Sequence, residues 1–436
     1  MTRTLFLFVL GLCVPSAASA ETPTPIVGFR VEGDSKVTDE TLEYLSRMEV
    51  GDLVTEAQRS ELERALVSSE LFKSVAVRYE PAPGGVVVVA TLDDKHSWIV
   101  MPTLYVLSST WAVGAGFAEN NLFGENKKLL LYAQLGSINS FFVAAYVVPS
   151  FRGTKLTMRL DTYLQRKQYE EYANPTDDPQ STALARVSTH GFLNVGAALG
   201  WNFRWWLNSE ARVRGARVTY RDAHVPDDRT MSLAVPSPNG LDLTAQLRTT
   251  VDRRHHHYGV TDGHYAQLSL ELPMLGLTTY DYAAVSARVW LSWALWYEHE
   301  FELRTYGNVG YHLPFHDEFT LGAATDLRGY LSEQFRGDTR VLARAEYSIP
   351  IARWRSFSFR ALGFADSGYI GFHFTDPTQR DYLPGHVGTG WFRNDVGGGL
   401  RIYFRNIVLP LLGLDVGYGI ENRSPTLYFQ VGLTDL

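Results

Sequence analysis

The sequence holds a single cysteine, Cys13, so past the N-terminus neither a disulfide nor a thiolate metal site is available. It also lacks a basic excess. Lys and Arg total 40 against 47 Asp and Glu, a formal charge of −7, which excludes nucleic acid as a main partner. Beyond the first residues no apolar run reaches the roughly eighteen positions a spanning helix needs, and mean hydropathy is −0.12. A helical membrane protein is thereby excluded. A membrane β-barrel is not, because only alternate residues of its strands face lipid. There is no P-loop or nucleophile elbow, and no paired-carboxylate signature in an ordered context. We therefore expect neither an enzyme nor a cofactor.

Aromatics are abundant, at 13% with 23 Tyr, 23 Phe and 10 Trp, as where rings sit at a lipid–water boundary. Residues 1–20 read as a secretory signal peptide. Arg3 gives the positive start, 5–14 the apolar stretch and Ala18-Ser19-Ala20 the cleavage site. Leu12 stands where a lipidation signal wants a small residue. Export without disulfides suits a bacterial envelope protein.

Residues 24–95 read as a compact β-α-α-β-β unit. Thr38 is placed to cap a first helix carrying Leu42 and Leu45. Thr55 and Gln58 have capping-box spacing before a second helix carrying Leu62, Ala65 and Leu66. Val31-Glu32-Gly33, the Leu71-Phe72-Lys73-Ser74-Val75 junction and the valine-rich strand 86–92 resemble a POTRA domain. The resemblance implies a periplasmic module that binds unfolded polypeptide by adding a strand to its sheet edge.

From 98 to 436 the pattern is alternating polarity. In 155–165, Leu156, Met158, Leu160 and Leu164 oppose Thr157, Arg159, Asp161 and Gln165. The segment 356–366 and the C-terminal strand repeat it. About sixteen such segments can be counted, a plausible number for an outer-membrane barrel. The four long connections, 166–186, 223–240, 311–338 and 367–393, then fall on one side and the short ones on the other. The expected fold is a mostly β, about 16-stranded antiparallel transmembrane barrel preceded by a small α+β domain.

Four stretches carry a family resemblance. They are Glu119-Asn120-Asn121-Leu122-Phe123-Gly124; Val251-Asp252-Arg253-Arg254 with Gly263; Leu327-Arg328-Gly329-Tyr330; and Phe364-Ala365-Asp366-Ser367-Gly368. Together with the leading domain they resemble the BamA/TamA superfamily of outer-membrane assembly and translocation barrels (the bacterial surface antigen family), here with a single POTRA-like domain. The resemblance implies a Gram-negative outer-membrane protein that inserts or translocates polypeptide clients. A two-partner-type secretion pore for one exported protein, or a passive porin, are the alternative functions. Implied partners are an unfolded or partly folded polypeptide, outer-membrane lipid, and periplasmic chaperones or accessory proteins. The chain departs from the family in having one such domain and in ending without the usual phenylalanine.

The residues also have a physical reading. Arg328 at the tip of a long loop suits a planar fork for the inward-phased Asp366. Gly329 lets the chain turn tightly, and Tyr330 is expected against the barrel wall. Arg344 and Glu346 share the inward phase and join the expected lumen cluster. His255-His256-His257 is read as a solvated turn, because consecutive side chains point apart. Asp177-Asp178 and Asp227-Asp228 are read as loop charge. Trp201, Trp205 and Trp206 are read as interface aromatics. Gly114, Gly116 and Gly432 are expected to weaken the seam between first and last strands.

Overall fold

The computed structural model describes residues 23–69, 71–106, 110–173, 180, 183–257, 259–323, 326–355, 357–374, 390–404 and 410–431. The leader, Asp177-Asp178 and Gly432 lie outside the described residues.

The chain begins with β1 (Thr24–Asp34), α1 (Asp39–Ser46), β2 (Leu53–Val54), α2 (Glu56–Ser68), β3 (Phe72–Ala82) and β4 (Gly85–Asp94). These form a sheet of order β2-β1-β4-β3, with β1 and β4 parallel. The helices start where side chains can take over orphan backbone donors. The Thr38 hydroxyl accepts from the Thr41 N–H at 3.2 Å, and the Gln58 carbonyl from the Thr55 N–H at 2.8 Å. Leu42, Leu62 and Leu66 meet Ile26, Val88 and Leu92 in a core of their own.

The remaining strands follow in chain order. They are β5 (Trp98–Val106), β6 (Trp111–Leu122), β7 (Lys127–Gly136), β8 (Asn139–Val148), β9 (Leu156–Tyr172), β10 (Leu184–Arg204), β11 (Leu207–Val225) and the short β12 (Asp228–Ser232). Then come β13 (Gly240–Asp252), the short β14 (His255–His257), β15 (Val260–Pro273), β16 (Ala283–Ala294) and β17 (Glu300–Tyr311). Two short strands, β18 (Phe319–Leu321) and β19 (Phe335–Gly337), precede β20 (Thr339–Trp354), β21 (Phe357–Gly371), β22 (Gly390–Phe404), β23 (Pro410–Gly419) and β24 (Ser424–Val431). All but β12, β14, β18 and β19 are staves of one closed antiparallel barrel, sixteen in number.

The barrel wears its apolar residues outside. Along β10, Leu193, Val195, Leu199 and Trp201 are exposed, while Asn194 and Ala198 between them are buried. No described helix is long and apolar enough to cross a membrane; the strands present the apolar surface instead. At the short-turn end the barrel touches the small domain. Lys155 pairs with Glu49 at 2.7 Å, and the Arg47 guanidinium lies 4.1 Å from the centre of the Trp205 ring. Arg253 lies likewise 4.1 Å from the centre of the Trp206 ring, so each tryptophan has an arginine stacked on one face, while Trp205 stays exposed on the other.

Candidate functional site inside the barrel

The connection between β17 and β20 folds back into the lumen as a hairpin, with β18 paired to β19. Gly322 turns its backbone at φ +103, where a Cβ would strike the Leu331 carbonyl. The hairpin tip carries Leu327, Arg328, Gly329 and Tyr330. Leu327, Arg328 and Tyr330 are fully buried.

The receiving wall follows from strand register. Arg344, Asp366 and Asp395 stand directly opposite one another across β20, β21 and β22. Two carboxylates side by side on neighbouring strands repel unless a cation lies close. Arg328 supplies it. Its Nε and Nη2 donate to the two oxygens of Asp366 at 2.9 and 3.1 Å, and its Nη1 donates to Glu346 at 2.9 Å. The guanidinium plane lies 3.4 Å from the centre of the Phe364 ring. Arg344 approaches Asp366 from the other side at 3.5 Å. Burial works against the charge of Arg328, but Asp366 and Glu346 outweigh it and hold the guanidinium protonated more firmly than usual.

Gly329 needs its missing side chain. A Cβ there would collide with Gly419 and with Asp395, and one at Gly417 would collide with the Arg328 carbonyl. The Gly329 N–H donates to Asp395 at 2.9 Å, and its carbonyl accepts from Asn422 at 2.9 Å. The Tyr330 hydroxyl bonds to Glu421, and the Tyr428 hydroxyl of β24 donates to the Tyr330 carbonyl. Gly368 leaves room for Leu321 and Leu327, whose side chains a Cβ would meet at 2.8 and 3.3 Å. All nine residues singled out from the sequence thus gather at one place. Sequence reasoning missed Asp395, Glu421 and Tyr428. For Asp395, inward phase was a usable signal.

The same loop also touches the far wall, through residues no motif announced. The His316 ring shares a hydrogen bond with the Tyr220 hydroxyl of β11 at 2.8 Å. Asp242, His316 and Asp317 bring ligand-type atoms within 4.8 Å of one another, but the Arg214 guanidinium already sits among them, bonded to Asp242 and 3.5 Å from Asp317. Glu333 pairs with Lys167 of β9. His256, by contrast, bonds to Thr261 at 3.1 Å. Asp228 accepts from the Thr230 N–H at 2.9 Å.

The barrel closes where its last and first strands meet: among the described residues β24 and β5 pair Phe429 with Val106, Gln430 with Tyr105 and Val431 with Leu104. In the small domain the outer edge of β3 is partly occupied. The Val77 N–H donates to Glu63 at 3.0 Å and its carbonyl accepts from Arg59 at 3.2 Å.

Comparison with known proteins agrees with this architecture. The Omp85 superfamily domain matches residues 121–433. Among solved structures, CdiB from Escherichia coli is 11% identical with a TM-score of 0.61, covering 96% of this chain and 92% of its own. CdiB from Acinetobacter baumannii is 15% identical with a TM-score of 0.60, covering 94% and 74%. BamA from Haemophilus ducreyi lacking POTRA domains 1–3 is 14% identical with a TM-score of 0.59, covering 95% and 85%. No curated protein sequence matches the chain. These likenesses establish the barrel fold, and the domain match covers most of the sequence. A sixteen-stranded barrel with an arginine-tipped loop in its lumen, and this domain match over most of the sequence, place the chain in the Omp85 superfamily.

Proposed function

We propose that this protein inserts polypeptide clients into a Gram-negative outer membrane, with its β5–β24 seam as the template and its N-terminal domain, a POTRA-like unit, facing the periplasm behind a cleaved leader. The observation that carries this reading is the Omp85 superfamily domain over residues 121–433, in a closed barrel whose first and last strands, β5 and β24, meet at a seam. A strand in lipid needs every backbone N–H and C=O paired. A seam that parts between β5 and β24 would offer an incoming strand the hydrogen bonds it lacks. The occupied lumen favours insertion over a permanently open secretion pore, since the Arg328 hairpin fills the route a translocated chain would take. The β3 edge of the small domain can add a client strand once Arg59 and Glu63 swing off Val77.

The test uses the absence of cysteine after residue 13. Cysteines introduced at Leu104 and Val431, which face one another across the seam, allow a disulfide lock. The protein in phosphatidylcholine vesicles receives a urea-denatured outer-membrane barrel, whose folding is read from heat-modified migration. The reduced seam should accelerate insertion and the oxidised seam should not. Equal acceleration by both forms would refute a seam-based function.

A further inference from the structure

Toward the short-turn end, the lumen wall from β9 to β17 carries more positive charge than its carboxylates neutralise. Strand phase fixes which residues point inward. Arg288 and Trp290 share the face of the buried Ser292, while Val285, Val289 and Trp293 on the other face are exposed outward. Arg248 shares the face of the fully buried Asp242 and Thr244, and Arg304 that of the buried Asn308. The carboxylates in reach are already engaged. The two Asp252 oxygens accept from Arg254 at 3.0 and 2.9 Å, Glu302 pairs with Arg304, and Asp161 pairs with Arg212. Glu210 is shared between Arg159 at 2.6 Å and Arg248 at 3.2 Å. Arg288 has no ion-pair partner among the described residues. It is exposed although it points inward, so the lumen is open there.

The same wall is short of acceptor oxygens. The indole Nε1 of Trp290 and the Nε atoms of Arg159 and Arg248 are buried with no hydrogen-bond partner among the described residues. All three are donors, and buried donors are nearly always paired in folded proteins. Trp290 packs against Tyr265 with ring centroids 5.0 Å apart, and Arg254 and Arg304 lie 4.8 and 5.1 Å from the indole centre. These cation–π contacts hold the guanidiniums in place without using up their N–H groups.

We propose that this wall binds an extended acidic segment of the polypeptide client, with Arg248 and Arg288 each taking one carboxylate. The inference names the client chemistry of the function proposed above and rests on that reading. The wall lacks negative charge and acceptor oxygens together, and a carboxylate brings both. Arg248 on β13 and Arg288 on β16 stand two stave intervals apart, with β15 between them, which separates them by about 10 Å along the wall. A single phosphate cannot bridge that span. Acidic side chains two or three positions apart in an extended chain can, at about 3.3 Å per residue. Arg304 on β17 continues the line by one more stave. The small domain contacts the barrel at this same end, so a segment it releases reaches the wall directly.

Binding of a labelled peptide to the full chain in an uncharged detergent tests the proposal. The probe is a fluorescein-tagged peptide of alternating Glu and Ser, read by anisotropy, with alternating Lys and Ser as the control. The acidic peptide should bind, the basic one should not, and affinity should fall as salt is raised. Arg288→Gln and Arg248→Gln should each weaken binding about tenfold, the loss of one charge-assisted hydrogen bond. Arg288 has no ion pair to lose, so its replacement keeps the wall intact, and heat-modified migration confirms that each barrel has assembled. Arg64→Gln, which removes the same charge from the exposed surface of α2, should keep the parent affinity. No binding of the acidic peptide, or unchanged affinity in Arg288→Gln, would overturn the site and leave the insertion function standing. Equal loss in Arg64→Gln would also overturn it, by showing that only net charge matters. Displacement of the peptide by an equal concentration of inorganic phosphate would overturn the peptide assignment in favour of a small-anion site. Peptide binding that depends on Arg288, in a protein that accelerates no client insertion, would support the site and count against the proposed function.

Discussion

Replacing Arg328 by Ala leaves Asp366 buried and Glu346 half-buried in the lumen with their principal cation gone. Removing one member of a buried ion pair costs about 3–5 kcal/mol. Arg344, 3.5 Å from Asp366, remains to offset part of that, so the lower end applies, about 3 kcal/mol. Arg328→Lys keeps the charge but loses the fork that spans both Asp366 oxygens and Glu346. Each lost hydrogen bond to a charged group costs roughly 1.5–3 kcal/mol, so Lys should recover less than half of the loss. Asp366→Ala alone strands the guanidinium, although Glu346 at 2.9 Å still holds it. Once both are absent neither is left unpaired, so the double variant should cost less than the sum, with a coupling of about 1–3 kcal/mol. The measurement is the midpoint of heat-modified migration and of urea unfolding for the four forms, with limited proteolysis of 312–338 as a local probe. Additive effects, or a hairpin as protected in Arg328→Ala as in the parent, would show that this contact does not hold the loop.

Other consequences follow from the same geometry. Glu333 has a carboxyl pKa depressed below its ordinary 4.5. Its contribution is therefore complete above that value and lost as pH falls through the lowered one, so the stability this ion pair adds to the barrel should be constant from pH 8 to 5 and be lost only in stronger acid, as read from the unfolding midpoint of the parent against Lys167→Ala. Gly417→Ala should push Arg328 and Gly329 out of place, destabilising the barrel by about 1–3 kcal/mol and exposing the hairpin to protease. Arg47→Ala removes the cover on Trp205, and should raise protease cutting between 94 and 98 without altering the barrel's own unfolding midpoint.

Much of this was legible in the chain because barrel strands advertise themselves by a period of two. The roughly sixteen segments counted from polarity correspond to the sixteen staves of the barrel, since a slip of one residue would turn a strand's charged face to lipid. The pairing of Arg328 with Asp366 was readable from two motifs and the inward phase of position 366. The second fastening was not. Lys167 and Glu333 lie 166 positions apart, and a polar residue facing a barrel lumen is the default, so neither stands out. Trp205 and Trp206 read as interface aromatics; that Arg47 of the small domain and Arg253 of the turn after β13 stack on their rings was not legible, since those partners are distant in sequence. The occupied β3 edge depended on where α2 places Arg59 and Glu63.

The central claim is that clients meet this protein at the seam between β5 and β24. Photoreactive side chains introduced at Val100 on β5 and, separately, at Leu199 on β10 place identical lipid-facing probes at the seam and far from it. A barrel-forming client arrested during insertion should crosslink at Val100 through its own terminal strand, and not at Leu199. Equal crosslinking at both positions, or crosslinking confined to lumen probes, would contradict the account.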